Sequence, residues 1–100
     1  DLAICGGITE AMRIAALATS QQIRLAPHMW GGAIMFAAGL QICATAPAAF
    51  TVEYSLGHNP LMHDLVAENF PVVEGRISIP DRPGLGLTID PDFVRAYSVG

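Results

Sequence analysis

The sequence contains no lysine, and all five of its basic residues are arginines. This absence excludes a Schiff-base lysine or a lysine general base within these 100 residues. The net charge is −4 and the isoelectric point is about 5.0. Such a chain offers no basic surface for a phosphate backbone, so we expect no nucleic-acid partner.

Charged side chains are also scarce in one half of the chain. Residues 1–50 contain four of them, whereas residues 51–100 contain ten, and hydrophobic residues make up 52% of the whole. A small free-standing domain has a large surface for its volume and normally covers that surface with charge. We therefore expect the first half to be covered by protein outside this sequence, and the chain to be a fragment of a longer one.

No segment of the sequence indicates a membrane or an oxidising compartment. Residues 25–52 are uncharged, but two prolines, His28 and Gln41 interrupt them, and a membrane span needs roughly 20 apolar residues. We interpret this stretch as a packed core helix and expect no membrane partner. Cys5 and Cys43 lie in apolar surroundings without metal-ligand spacing, as buried free thiols of a cytoplasmic protein would.

The first 53 residues alternate between short apolar runs and longer helical patterns. The runs predict strands at residues 2–5, 23–26 and 50–52; the longer patterns predict one helix capped by Thr9 and another over residues 33–46. Alternation of this kind predicts a parallel α/β sheet. Both a closed barrel and an open doubly wound sheet would produce it.

The pattern changes after Tyr54. We predict a short helix around residues 61–68, then a hairpin whose strands flank Glu74-Gly75. An irregular loop rich in proline and glycine follows, and Asp90-Pro91 predicts the start of a last helix through Tyr97. We expect residues 1–71 to be βα units and residues 72–100 to be a separate structural layer.

His28 and Glu53 each follow a strongly apolar run, where a predicted strand ends. In a parallel barrel the active site lies where the strands end, so these two side chains are candidate catalytic residues. A carboxylate beside an imidazole fixes which ring nitrogen carries the proton. Asp1 is the acidic residue near the first run that could do this, although it precedes that run rather than closing it.

These residues belong to a longer pattern that resembles the C-terminal portion of the mandelate racemase subgroup of the enolase superfamily. The resemblance extends over essentially the whole chain, and its order and spacing are specific. Four segments carry it: residues 1–10 (DLAICGGITE), 26–28 (APH), 52–53 (VE) and 79–86 (IPDRPGLG). The Ala26-Pro27 that precedes His28 resembles the acid-sugar enzymes of the subgroup more than mandelate racemase itself.

The resemblance implies a (β/α) TIM-type barrel of which this chain holds the last three strands. It implies that the tail from about Val72 returns to an α+β capping domain absent from this sequence. It also implies that His28, paired with Asp1, moves the proton next to a carboxylate, and that Glu53 hydrogen-bonds the substrate as an enediolate forms. Enzymes of this superfamily use one or two Mg²⁺ ions, and we expect their ligands on strands outside this sequence.

The resulting prediction is a Mg²⁺-dependent acid-sugar dehydratase that acts on a small carboxylate and forms a homo-oligomer. A racemase, epimerase or lactone cycloisomerase shares the proton-abstraction step, and a non-catalytic relic of the barrel is an alternative of another class. Three further residues lie in loops at the expected mouth of the site and are predicted to contact substrate: Trp30, Tyr54 and His58.

Overall fold

The computed structural model describes residues 1–99. Within them, short and medium helices alternate with extended segments, and a two-stranded hairpin precedes the last helix. The elements are α1 (Leu2–Cys5), α2 (Ile8–Ser20), α3 (Ala33–Thr45), α4 (Pro60–His63), β1 (Val72–Val73), β2 (Arg76–Ile77) and α5 (Pro91–Tyr97). The result is a small mixed helix-and-sheet unit, as expected for part of an α/β domain.

The prediction of a strand at residues 2–5 is wrong, because these residues form the single-turn helix α1. The Asp1 carboxylate caps this helix by accepting hydrogen bonds from the amides of Ala3 and Ile4, at 2.7 and 3.1 Å. Gly6 then ends it in the left-handed region, with φ of 105°, which favours glycine. A cap followed by a glycine stop outweighs the apolar run. The residue that caps α2 is accordingly Gly7 rather than the predicted Thr9.

The other two predicted strands run side by side but form one isolated parallel bridge, between Leu25 and Ala49. The Leu25 amide donates to the Ala48 carbonyl at 2.8 Å, and the Phe50 amide donates to the Leu25 carbonyl at 3.2 Å. The expected three-strand set is therefore reduced to two extended, parallel segments within residues 1–99. Because they are parallel, His28 and Glu53 follow the bridge at the same end.

Helix α3 forms the centre of the packing. It runs over the residues predicted as a helix, and it buries Ala33, Phe36 and Ala37 at 1% exposure or less. One side chain cluster joins Phe36 to Met29, Met62 and Phe70. A second joins α3 to α1 and α2, through buried residues such as Leu2, Ala15 and Ile42. The segments that carry His28 and Glu53 are thus anchored on one helix.

The outer side of α1 and α2 remains apolar and exposed. Ile4 is 83% exposed and Leu17 is 67% exposed, and Ile8 and Ile14 are exposed as well. Among residues 1–99, no helix is long and apolar enough to cross a membrane.

The later part of the chain follows the prediction more closely. The hairpin pairs Val72 with Ile77 and Val73 with Arg76, around the Glu74-Gly75 turn. Helix α5 begins at Pro91, and Asp90 caps it by accepting from the amides of residues 92 and 93. Helix α4 is shorter than predicted and ends at His63, because Val66 instead bridges to Ile89 of the tail.

Candidate active site

The carboxylate of Asp1 has two separate contacts. Its Oδ1 atom caps α1, while its Oδ2 atom lies 2.7 Å from Nδ1 of His28, 27 residues along the chain. One side chain therefore couples the start of a helix to an imidazole. The prediction that Asp1 stands near His28 matches this geometry, but its position comes from a helix cap rather than from the end of a strand.

His28 lies between two carboxylates. Its Nδ1 atom contacts Asp1, and its Nε2 atom lies 4.0 Å from Oε2 of Glu53. When Asp1 accepts a hydrogen bond from Nδ1–H, the lone pair of the neutral ring is on Nε2. The side chain is 54% exposed, so Nε2 is accessible to a small molecule. This arrangement is suited to taking up or delivering a proton.

Glu53 is held by a backbone group that sequence reasoning missed. Its Oε2 atom accepts a hydrogen bond of 2.7 Å from the amide of Met29, the residue that follows His28. The Met29 side chain is buried in the core, so the amide is firmly placed. A backbone donor leaves no residue-type signal, and only the parallel placement of the two segments reveals it.

A shallow open cavity of about 390 Å³ lies over these groups. Its lining comes from the ends of the two parallel segments: Ala26, Pro27 and His28 from the first, and Thr51, Val52 and Glu53 from the second. The predicted catalytic residues His28 and Glu53 therefore share one cavity. Asp1 does not line it and contacts the His28 ring at Nδ1.

The three predicted substrate contacts do not all face the same space. Trp30 and His58 line a neighbouring cleft of about 330 Å³, and the Trp30 ring lies 6.3 Å from that of His28. Tyr54 instead packs its ring edge-on against Phe36, at a centroid distance of 5.6 Å. It contributes to the core cluster and does not line this cleft.

Asn59 and His63 also line the cleft. The sequence places Asn59 beside His58 in a loop that could contact substrate, whereas it favours a surface or loop position for His63. Asn59 accepts from the Leu61 amide at 3.0 Å, which caps α4, and donates to the Gly31 carbonyl at 3.3 Å. This side chain thus ties the loop after Glu53 to the loop after His28. The Asn59-Pro60 pair is a recognisable helix-start signal, and this signal predicts the capping role of the Asn59 side chain.

The described part of the chain contains no group of three or more His, Cys, Asp or Glu side chains placed to hold a metal ion. The residues present therefore do not form a Mg²⁺ site by themselves.

The sequence of this chain matches the model of a known protein family. The model of the family described as "Enolase C-terminal domain-like" matches residues 1–93. This chain belongs to that family. The predicted resemblance to the mandelate racemase type is thereby confirmed.

Several named proteins share the enolase C-terminal domain-like sequence. A D-galactarolactone cycloisomerase of Agrobacterium fabrum is 38% identical over 105 residues, which cover 97% of this chain and 28% of that protein. A D-xylonate dehydratase of Haloferax volcanii is 37% identical, over 99% of this chain and 24% of its own length. This chain therefore spans about a quarter of the relatives it matches.

A solved structure shows the same arrangement of the chain. The mandelate racemase/muconate lactonizing enzyme from Jannaschia sp. CCS1 superimposes with a TM-score of 0.81 at 33% identity. The match covers 95% of this chain and 24% of the Jannaschia protein. The enolase C-terminal domain-like fold of residues 1–99 is thus shared with a longer enzyme.

Proposed function

We propose that this chain is the C-terminal part of an enzyme that removes the proton next to a carboxylate, and that the enzyme is an acid-sugar dehydratase. The observation that carries the proposal is the contact of His28 Nδ1 with Asp1 at 2.7 Å, beside Glu53 in one open cavity. The similarity to sugar-acid dehydratases and to a cycloisomerase supports the same class of chemistry.

In the proposed mechanism, Nε2 of His28 takes up the α-proton, or donates a proton to the β-hydroxyl that leaves as water. Asp1 holds the ring in the tautomer that leaves Nε2 free, and it stabilises the imidazolium once a proton has been taken up. Glu53 is positioned by the Met29 amide through Oε2, so its Oε1 atom, when it carries a proton, can donate a hydrogen bond to the carboxylate side of the substrate. The enol that remains after water loss converts to the 2-keto acid.

The α-proton of a carboxylate is very weakly acidic, because its removal places a second negative charge on the carboxylate oxygens. The positive charge that would offset it is the contribution expected of a Mg²⁺ ion, if one is held by segments outside this sequence. The residues of this chain provide the proton transfer and the positioning of the substrate.

We further propose that the full chain closes a (β/α) barrel, with residues 1–71 as βα units and residues 72–100 as a tail directed to a capping domain. The segments around Leu25 and Ala49 would be two neighbouring barrel strands. Since residues 2–5 are helical, the strand expected there would lie ahead of Asp1. That placement would put Asp1, like His28 and Glu53, just beyond a strand end.

Product analysis in D₂O distinguishes the dehydratase from its mechanistic alternatives. The full-length protein with Mg²⁺ and D-xylonate should convert the substrate to a 2-keto-3-deoxy acid. Its C3 takes up one deuterium from the solvent, and proton NMR detects it as a new monodeuterated C3 signal. Exchange at the α-carbon without loss of water would instead support a racemase or epimerase. Ring opening of a sugar-acid lactone with loss of the α-proton, but without loss of water, would support a cycloisomerase.

The non-catalytic alternative is tested separately. If the barrel is a relic, a screen of sugar acids with Mg²⁺ should give no α-proton exchange with any of them. Exchange that a metal chelator abolishes and added Mg²⁺ restores would exclude that alternative.

A further inference from the structure

The cleft beside His28 is formed by two loops, one after each parallel segment. Met29, Phe36 and Met62 provide its apolar lining, and the cleft measures about 330 Å³, within the range of roughly 300–1,000 Å³ that small-molecule sites occupy. Its polar lining consists of neutral groups and imidazoles: Trp30, Ser55, His58, Asn59 and His63. An apolar floor with a few polar groups is typical of a site for a small polar molecule.

The cleft continues from the proposed catalytic centre. The rings of Trp30 and His28 are 6.3 Å apart, a distance that a short carbon chain can span. Trp30 is 65% exposed, and its face can pack against the C–H groups of a carbohydrate chain. A substrate whose α-carbon lies at His28 can therefore extend its other end past Trp30 into the cleft.

His58 lines this cleft with two ring neighbours, although its side chain is 69% exposed. Its ring stacks on that of His63, with centroids 5.3 Å apart and planes inclined by 20°. Its Nε2 atom lies 3.5 Å from Oδ2 of Asp64, and His63 in turn contacts the backbone of Asn59 through Nδ1. Two neighbours, His63 and Asp64, thus contact the His58 ring, and its Nδ1 atom makes no hydrogen bond to the residues that the structure describes.

We propose that this cleft binds the distal, hydroxyl-bearing end of a sugar monocarboxylate, and that His58, oriented by His63 and Asp64, determines this specificity. The inference rests on the proposed function and names the substrate class of that same site. Ser55, Asn59 and His58 supply hydroxyl, amide and imidazole groups, which suit a row of hydroxyls.

The charge at the cleft favours a monocarboxylate over a dicarboxylate. Asp64 places a carboxylate 3.5 Å from His58, so a second substrate carboxylate at this position would meet a like charge. A neutral hydroxyl in the same place has no such repulsion. The cleft would therefore distinguish substrates by the charge at their far end.

Binding measured without turnover tests this inference independently of the reaction. In the full-length protein with His28→Asn and Mg²⁺ present, calorimetry should show D-xylonate binding about tenfold more tightly than xylarate, which differs only in a distal carboxylate. His58→Phe in that background should weaken D-xylonate binding by about fivefold, as for the loss of one hydrogen bond. Equal affinities for the two acids would overturn the proposal.

A charge-only substitution covers the case in which His58→Phe disturbs the fold. Asp64→Asn keeps the shape of the side chain and should raise the affinity for xylarate several-fold relative to D-xylonate. The control Asp81→Asn, in the loop of the tail, should leave the ratio of the two affinities unchanged. An unchanged ratio in Asp64→Asn contradicts the role of the cleft. Absence of α-proton exchange in the unsubstituted protein would instead contradict the proposed function, whatever the binding ratio.

Discussion

Two regions of the molecule are held together in different ways. In residues 1–71, apolar side chains pack around α3, and hydrogen bonds join distant parts of the sequence, Asp1 to His28 and Met29 to Glu53. The tail, residues 72–99, has few buried side chains: Ile77, Leu85 and Leu87 pack at the edge of the core, and Glu68 binds Arg82 and Thr88 through polar contacts. The same kind of substitution should therefore have different consequences in the two regions.

The largest effect is expected from Asp1→Asn in the first region. Asparagine caps a helix nearly as well as aspartate does, so α1 should persist while the carboxylate that orients His28 is lost. We expect kcat to fall by roughly 10²–10⁴-fold, as when the aspartate of a catalytic His–Asp pair is replaced. Steady-state kinetics on the full-length protein, with circular dichroism as the fold control, measures this. A kcat within threefold of the original would contradict the role of Asp1.

Phe36→Ala should produce the largest loss of stability. Phe36 is 1% exposed at the centre of the core, and truncation of a buried phenylalanine costs about 3–5 kcal/mol. The matched change Phe50→Ala, at a ring that is 52% exposed, should cost much less. Urea unfolding of both variants gives the comparison, and equal losses would show that α3 does not anchor this region.

Gly39→Ala should have a smaller effect of the same kind. A Cβ atom at residue 39 would lie 2.6 Å from Cε of the buried Met29, so the Met29 side chain would have to move. We expect a loss of about 1–3 kcal/mol, typical of overpacking, and Met29→Ala in the same chain should relieve it. Gly57→Ala, where the nearest atom is 3.8 Å away, is the control. No loss at Gly39 would mean that the core adjusts freely.

The smallest effect is expected where the tail is attached. The backbone amide of Thr88, opposed by partial burial and aided by the Thr88 hydroxyl and Arg82, holds the pKa of Glu68 below its ordinary value. A carboxyl with a lowered pKa stabilises the folded state above its unfolded pKa, and this contribution is lost as the pH falls through the folded pKa. Glu68→Gln should therefore loosen the tail at neutral pH and have little effect in acid.

Hydrogen exchange at the Thr88 amide measures this loosening. The amide should exchange faster in Glu68→Gln at pH 7 and at the original rate in Glu74→Gln, which removes an exposed carboxylate of the hairpin turn. Unchanged exchange in Glu68→Gln would show that the bridge between Val66 and Ile89 holds the tail by itself.

The two regions also differ in how well the sequence predicted them. The hairpin and α5 were predicted because Glu74-Gly75 and Asp90-Pro91 are local signals that determine local structure. The strand at residues 2–5 was predicted wrongly, because an apolar run of four residues does not separate a strand from a buried helical turn. The signals that determine a helix here are the cap at Asp1 and the left-handed glycine at Gly6, and the glycine was interpreted as the end of a strand.

The candidate site was predictable in its residues but not in its contacts. His28 and Glu53 could be named because each polar residue follows an apolar run, and the family pattern added Asp1. The Met29 amide that holds Glu53, and the inward packing of Tyr54, depend on tertiary packing that no local pattern encodes. Site residues were thus visible in the sequence, while the groups that orient them required the structure.

In the proposed reaction, Nε2 of His28 transfers the proton next to a substrate carboxylate. The most direct test of this transfer is the rate at which the α-proton NMR signal of D-xylonate disappears in D₂O, compared between the full-length protein and its His28→Asn variant. We expect the α-proton signal to disappear at least about 10²-fold more slowly in the variant, with an unchanged circular dichroism spectrum. An equal rate in the two proteins would contradict this role of His28.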